Sequence, residues 1–463
     1  MQNNTLQRGL KQRHISLMAL GASIGVGLFL GSASALKLAG PGILLAYAVG
    51  GFFIFLIMRA LGEMAVSDPV AGSFSHYAHR YIGPLSGFLT GWNYWFFWII
   101  ACMLEIAAAS VYMGLWFPDV SPWIWSLATL AIMGTVNFLT VRAYGEFEFW
   151  LALIKIVTIV MMIIGCLGMI LFGFGNEGVA VGISNLWSHG GFLPFGIAGV
   201  VKCLPLVVLS YLGVEMIGLT AGEAVNPEKT LARAIDSVFW RIMVFYVGAL
   251  FVILAIYPWN EIGTHGSPFV SAFEHMGIST AAGIINFVVL TATLSICNSG
   301  IFSSGRMLYN LAQQRQAHPA LARLSRNGTP IVALTLSIGI MLIGVVLNYW
   351  IPEQVFMLFA SIATFSGIWA WLVILLAHYK FRRSLTPAQI AAHPYKMPWW
   401  PYSIYLTFAF LVLVLGLMIY LPGTRPAMVI GPVWLIFLTA VYYLGGYHRR
   451  VQQTDTQLAS SHS

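Results

Sequence analysis

Two apolar stretches, Leu20-Gly-Ala-Ser-Ile-Gly-Val-Gly-Leu-Phe-Leu-Gly31 and Leu209-Ser-Tyr-Leu-Gly-Val-Glu-Met-Ile-Gly-Leu-Thr-Ala-Gly-Glu223, are broken up by small residues. The first holds Gly21, Gly25, Gly27 and Gly31; the second holds Ser210, Gly213, Gly218 and Gly222. Glycine at this density has two readings. Small residues let membrane helices pack closely, and they let a helix unwind and bring its backbone against a ligand. The position of the two stretches in the chain decides between them.

The surroundings are membrane-like. Of 463 residues, 59% are hydrophobic and 8% charged, whereas soluble proteins carry charge on roughly a quarter of their residues. A transmembrane helix needs about 20 mostly apolar residues. Twelve such runs lie near 16–36, 42–64, 86–115, 122–141, 149–173, 195–222, 238–258, 279–304, 329–349, 355–378, 401–421 and 427–446. They are continuously apolar rather than alternating with period two, which points to helices and away from a barrel. The fold class expected is therefore an all-α polytopic membrane protein of about twelve transmembrane helices. The polar, basic start, Met1 to His14, leads into the first run without a small-residue cleavage site, so a removable signal peptide is not expected. Cys102, Cys166, Cys203 and Cys297 all fall inside apolar runs without metal-like spacing and read as packing residues.

Cytoplasmic loops are enriched in Lys and Arg. With the N-terminus inside, Lys37 and Arg425 fall outside and Lys155 and Lys202 fall within spans, which leaves 19 of the 23 basic residues on the inner side. Both termini are thus expected in the cytoplasm. The net charge of +8 reflects this loop bias and not a nucleic-acid surface.

In this register the two glycine-broken stretches are spans 1 and 6, and each heads a group of five spans. Interrupted helices at corresponding positions of two halves point to an inverted-repeat transporter with its site near the midplane. The expected organisation is a tail over 1–15, a core over 16–378 with repeats at about 16–173 and 195–378, a loop over 379–400, two further helices over 401–446, and a tail over 447–463. Free amides at the start of a second half-helix can hold a carboxylate, helped by the helix dipole. Free carbonyls at the end of the first half-helix can take an ammonium. An α-amino acid carries both groups on one carbon.

Ionisable side chains at membrane depth are functional candidates. Lys155 in span 5 either snorkels to the interface or carries a proton. Glu105, deep in span 3, pairs with a lysine or relays protons. Glu215, just past Gly213, steadies the unwound region or shares the proton path. Lys202 in span 6 pairs with Glu105 or attracts substrate. Arg59 and Glu63, four residues apart at one end of span 2, read as an ion pair on one helix face.

Three stretches carry a family resemblance: Arg13-His-Ile through Gly40-Pro41-Gly42, Tyr144-Gly-Glu-Phe-Glu-Phe-Trp-Leu-Ala-Leu-Ile-Lys-Ile156, and Gly213-Val-Glu through Ala221-Gly-Glu-Ala-Val-Asn-Pro-Glu-Lys229. With Pro258-Trp-Asn260, Ser267-Pro268 and Asn298-Ser-Gly300, they resemble the bacterial amino-acid transporters of the amino acid–polyamine–organocation superfamily along nearly the whole chain. The resemblance implies a five-plus-five inverted repeat with two extra helices and proton-driven uptake of α-amino acids across the bacterial inner membrane. It implies a substrate site made of Ser23, Ile24, Gly25, Val26, Gly27, Leu209, Ser210, Tyr211, Leu212 and Gly213. The ammonium would lie near the carbonyls of Ser23, Leu209, Ser210 and Leu212, and the carboxylate near the amides of Val26 and Gly27. Lys155 would be the proton-linked lysine, with Glu105 and Glu215 as further candidates. Val26 stands where many members have Thr, and Lys202 stands where an uncharged residue is expected. The sequence is most similar in character to threonine/serine and proline carriers, with histidine and aromatic types as further options.

Other classes fit less well. A channel would need a continuous polar pore. An enzyme would need a convergent catalytic set at membrane depth, and no nucleophile has a base nearby. A non-transporting amino-acid sensor and an exchanger share the same motifs. No cofactor, metal or nucleic acid is expected; the partners expected are an amino acid, protons and the lipid bilayer.

Overall fold

A computed structural model describes residues 24–70, 73–139, 141–219, 227–262, 267–270, 279–325 and 328–449. Residues 1–23, which include Ser23 and the start of span 1, and residues 450–463 lie outside the described residues. Within them, the regular structure is helical throughout.

Among the described residues, nine helices are long and apolar enough to cross a membrane. One of these, Gly27–Ser67, divides at the tight turn Gly40-Pro41-Gly42 into the described part of span 1 and span 2. The shorter helices Pro122–Phe138 and Gly196–Leu209 lie where spans 4 and 6 are expected, so the described helices follow the order of the apolar runs in the sequence. Span 2 is Ile43–Ser67, span 3 Pro84–Gly114, span 5 Val141–Phe172 and span 8 Ser279–Gln313. Spans 9 to 12 are Ile331–Trp350, Pro352–Ser384, Tyr402–Tyr420 and Arg425–Leu444. Span 7 is continuously helical over 227–256, with a π-helical segment at Met243–Gly248. Proline occupies the first turn of spans 3, 4, 10 and 12, where its missing N–H breaks no intrahelical bond.

Several helices run past the ends expected from hydropathy. Span 5 begins at Val141 and not near 149, span 7 at Pro227 and not near 238, and span 10 continues to Ser384. An apolar window marks the part of a helix that crosses lipid, whereas backbone hydrogen bonding continues into the polar flank.

Span 3 lies at the centre, packed against spans 8 and 10, while span 2 packs against span 7 and span 5 against span 8. Spans 5, 11 and 12 turn large apolar side chains outward, among them Trp150, Met161, Leu171, Tyr405, Val433 and Phe437. In a water-facing protein such faces would be a liability; in a bilayer they meet lipid.

The Arg59 and Glu63 pairing on one helix face is corrected by the structure. Arg59 Nη1 bonds Asp236 of span 7 at 2.9 Å, and its guanidinium lies 3.8 Å from the Tyr395 ring centroid. The Glu63 carboxylate accepts from Arg382 Nε at 2.5 Å, pairs with His378 Nε2 at 2.8 Å, and accepts from the Met397 amide at 2.7 Å. Each side chain finds a better-placed partner on another helix than its neighbour one turn away.

Candidate functional site at the two helix breaks

Span 1 is not helical at Ile24 and Gly25. The Gly25 carbonyl accepts from the Leu28 and Phe29 amides at 3.1 and 3.2 Å, so the described helix of span 1 starts there, and the residues before Ile24, where the first half-helix is expected, lie outside the described residues. The amides of Val26 and Gly27 fall in its first turn, where N–H groups have no intrahelical acceptor. A π-helical turn follows at Gly27–Gly31.

Span 6 runs as Gly196–Lys202 and Leu204–Leu209, leaves the helix over Ser210 to Glu215, and resumes at Met216–Leu219. Gly213 has φ +97°, a conformation other residues rarely adopt. The break is held from several sides. Tyr47 Oη and Ser210 Oγ share a hydrogen bond of 2.8 Å, Tyr246 Oη donates to the Ser210 carbonyl at 2.9 Å, and Tyr211 Oη donates to the Tyr47 carbonyl at 2.7 Å. The Glu215 carboxylate accepts from the Gly213 amide at 3.1 Å, from Trp371 Nε1 at 3.2 Å and from Tyr94 Oη at 3.3 Å. These bonds fasten the unwound backbone to spans 3 and 10. They do not join Glu215 to the hydrogen bonds of Lys155.

The start of the described span 1 and the break of span 6 touch. A Cβ placed on Gly27 would lie 2.6 Å from Ser210 Cα, and one on Gly25 would lie 1.9 Å from Ile296 Cδ1 and 3.4 Å from Glu105 Oε1. A cavity at this crossing is lined by Gly25, Val26 and Gly27 of span 1 and by Leu209, Ser210 and Leu212 of span 6. Phe97, Trp98, Ala101, Leu104 and Glu105 of span 3, Ile296 of span 8 and Ala363 of span 10 complete it. Glu105 is 3% exposed and faces the Val26 amide and Thr293; its Oε2 has no hydrogen-bond partner among the described residues.

Lys155 is fully buried and does not snorkel. Its Nζ donates to the Ile24 carbonyl at 3.3 Å and to Ser295 Oγ at 3.0 Å, so it bridges span 5, the break of span 1 and span 8. Tyr211 and Gly213 support the break but do not line the cavity. Lys202 is exposed near the end of Gly196–Lys202, and the pairing of Lys202 with the buried Glu105 is not formed. The basic partner facing Glu105 is Lys155.

Sequence reasoning missed Glu148, which is buried and accepts from Ser295 Oγ at 2.5 Å. Its spacing to Lys155, seven residues on one helix, was the available signal, because side chains two turns apart share a face. Tyr47, Tyr94, Tyr246 and Trp371 carried no signal, since nothing near them in sequence marks the helix break they support.

Among the described residues, the backbone at Gly25–Gly27 of span 1 and the interrupted backbone of span 6 thus meet at one buried cavity, in a helical, multi-pass frame. The molecule is a polytopic all-α membrane transporter. A family model for amino acid permeases matches residues 14–454. The chain is 61% identical over 449 residues to the uncharacterized amino acid permease YtnA of Bacillus subtilis, covering 97% of each chain. It is 49% identical over 457 residues to the probable threonine/serine transporter YbxG of the same organism, covering 99% of each. To the amino-acid permease AapA, also from Bacillus subtilis, it is 44% identical over 441 residues, with 95% of each chain covered. The chain belongs to the amino acid permease family, and its substrates are amino acids.

Proposed function

We propose that this permease takes up small neutral L-amino acids, of the threonine/serine or proline type, together with protons across a bacterial inner membrane, with both termini cytoplasmic. The observation that carries the reading is the bond from Lys155 Nζ to the Ile24 carbonyl. A titratable cation sits on the break of span 1, so losing or gaining a proton there alters the backbone that binds substrate. The α-carboxylate is assigned to the amides of Val26 and Gly27, and the ammonium to carbonyls near Ser23, Leu209, Ser210 and Leu212. Ala101, Leu104, Ile296 and Ala363 make an apolar wall, which disfavours a charged side chain because an unpaired buried charge is costly. The probable threonine/serine transporter among the relatives supports the same class.

In this reading, spans 1–5 and 6–10 form an inverted repeat, and spans 11 and 12 are additions. Proton coupling is assigned to Lys155, with Glu105 facing it from the cavity side, while Glu215 fixes the span 6 break. The test is uptake of a panel of labelled amino acids into proteoliposomes with and without an inward proton gradient. Accumulation of threonine, serine or proline that requires the gradient supports the reading. Flux that ignores the gradient and requires internal amino acid would show an exchanger instead.

A further inference from the structure

Glu148 and Lys155 lie on one face of span 5, roughly 10 Å apart along the helix axis. Ser295 of span 8 bridges them. Lys155 Nζ donates to Ser295 Oγ at 3.0 Å, and Ser295 Oγ donates to Glu148 Oε1 at 2.5 Å. All three residues are fully buried. The other carboxylate oxygen is held separately: Asn298 Nδ2 donates to Glu148 Oε2 at 3.2 Å, and Asn137 Nδ2 of span 4 donates to Asn298 Oδ1 at 2.9 Å. Ser299 also faces the Glu148 carboxylate, and Glu105 of span 3 faces Lys155 from the cavity.

We propose that Glu148 is the proton acceptor for Lys155, with the Ser295 hydroxyl as the relay between them. The proposal rests on the reading that Lys155 carries the coupled proton, and it names where that proton goes. In the step, an N–H bond of the Lys155 ammonium breaks and an O–H bond forms on Ser295 Oγ. The original Ser295 O–H bond breaks as a new one forms on Glu148 Oε1. Serine is regenerated, the ammonium becomes an amine and the carboxylate becomes a carboxylic acid. No oxidant or further reactant enters.

The geometry accommodates both ends of this step. Before transfer the bonds run from Lys155 to Ser295 to Glu148. After it they run from Glu148 Oε1 to Ser295 and from Ser295 to the free lone pair of Lys155. Asn298 still donates to Oε2 in either state, because that oxygen remains an acceptor when the proton is on Oε1. Transfer removes two opposite buried charges together, so neither is left alone in a low-dielectric region, where an unpaired ion is disfavoured. It also replaces the ammonium that holds the Ile24 carbonyl by a neutral amine, a weaker donor.

Proteoliposomes carrying a pH dye inside test this directly, with threonine, serine or proline added outside and counterflow exchange measured in parallel. Lys155→Gln, Glu148→Gln and Ser295→Ala are each expected to reduce substrate-dependent proton entry at least ten-fold while exchange continues. Ser295→Thr, which keeps the hydroxyl, is expected to restore proton entry. Near wild-type proton entry through Glu148→Gln or Ser295→Ala, with Lys155→Gln inactive, overturns the relay and leaves the lysine reading intact. Wild-type proton entry through Lys155→Gln overturns that reading as well. Parallel loss of exchange and proton entry in Glu148→Gln and Ser295→Ala, without recovery in Ser295→Thr, shows support of the fold only and also overturns the relay.

Discussion

Gly27 and Ser210 meet backbone to backbone: a Cβ on Gly27 would stand 2.6 Å from Ser210 Cα and 3.0 Å from Ser210 N. The start of the described helix of span 1 therefore rests on the break of span 6 at the place where both line the cavity, and a side chain on Gly27 would prise the two apart.

From this contact follows an order of severity among glycine variants. At Gly25 the obstructing atom is Ile296 Cδ1, the end of a flexible side chain, whereas at Gly27 it is backbone. Gly27→Ala is expected to weaken binding at least ten-fold, about 1.4 kcal/mol. Gly25→Ala should cost less, and Gly25→Leu should abolish binding. Equilibrium binding of the amino acid identified by uptake, with size-exclusion profiles as the folding control, checks the order; equal affinities for wild type and Gly27→Ala would place the substrate elsewhere.

Glu215 should behave as a latch. Replacing it with alanine leaves the Gly213 amide, the Trp371 indole and the Tyr94 hydroxyl without their acceptor, and each buried polar group left unpaired costs about 1–3 kcal/mol. Thermal unfolding in detergent is expected to shift down strongly for Glu215→Ala and less for Glu215→Gln, which keeps an acceptor oxygen. Proton entry per transported substrate should stay unchanged in the glutamine variant, and its loss would return Glu215 to the proton path.

Lys202 and Glu105 should act independently. Lys202 is exposed and Glu105 is 3% exposed, so neutralising the lysine is expected to change stability by no more than about 0.5 kcal/mol. The double variant Lys202→Met with Glu105→Gln should show the sum of the single effects within about 0.5 kcal/mol. A double variant more stable than the Glu105 single variant would mean that the two meet in another conformation.

The two ionic clusters around span 2 should differ in weight. Glu63 is buried with His378 and Arg382, and removing one partner of a buried pair costs about 3–5 kcal/mol. The Asp236 side chain is 55% exposed, and an exposed pair contributes about 0–1 kcal/mol. Glu63→Ala is thus expected to lower the unfolding temperature far more than Asp236→Ala, as measured on purified protein in the same detergent.

The sequence by itself determined the fold class, the order of the apolar helices and the glycine-marked place where span 6 leaves its helix, because apolar run length and glycine spacing are local properties of the chain. Lys155 and Glu105 were also legible, since a charge inside an apolar run stands out whatever surrounds it. Partner choice was not. Arg59 and Glu63 look like a pair on a helical wheel, but each turns to a residue more than 150 positions away, Asp236 for one and His378 with Arg382 for the other. Lys155 meets Ile24 across 131 positions and Ser295 across 140. Only helix packing brings such groups together, and packing depends on the whole set of buried side chains at once. Glu148 shows the boundary most clearly: its seven-residue spacing to Lys155 lay in plain view, but the serine that connects the two comes from span 8, and only the tertiary structure put it between them.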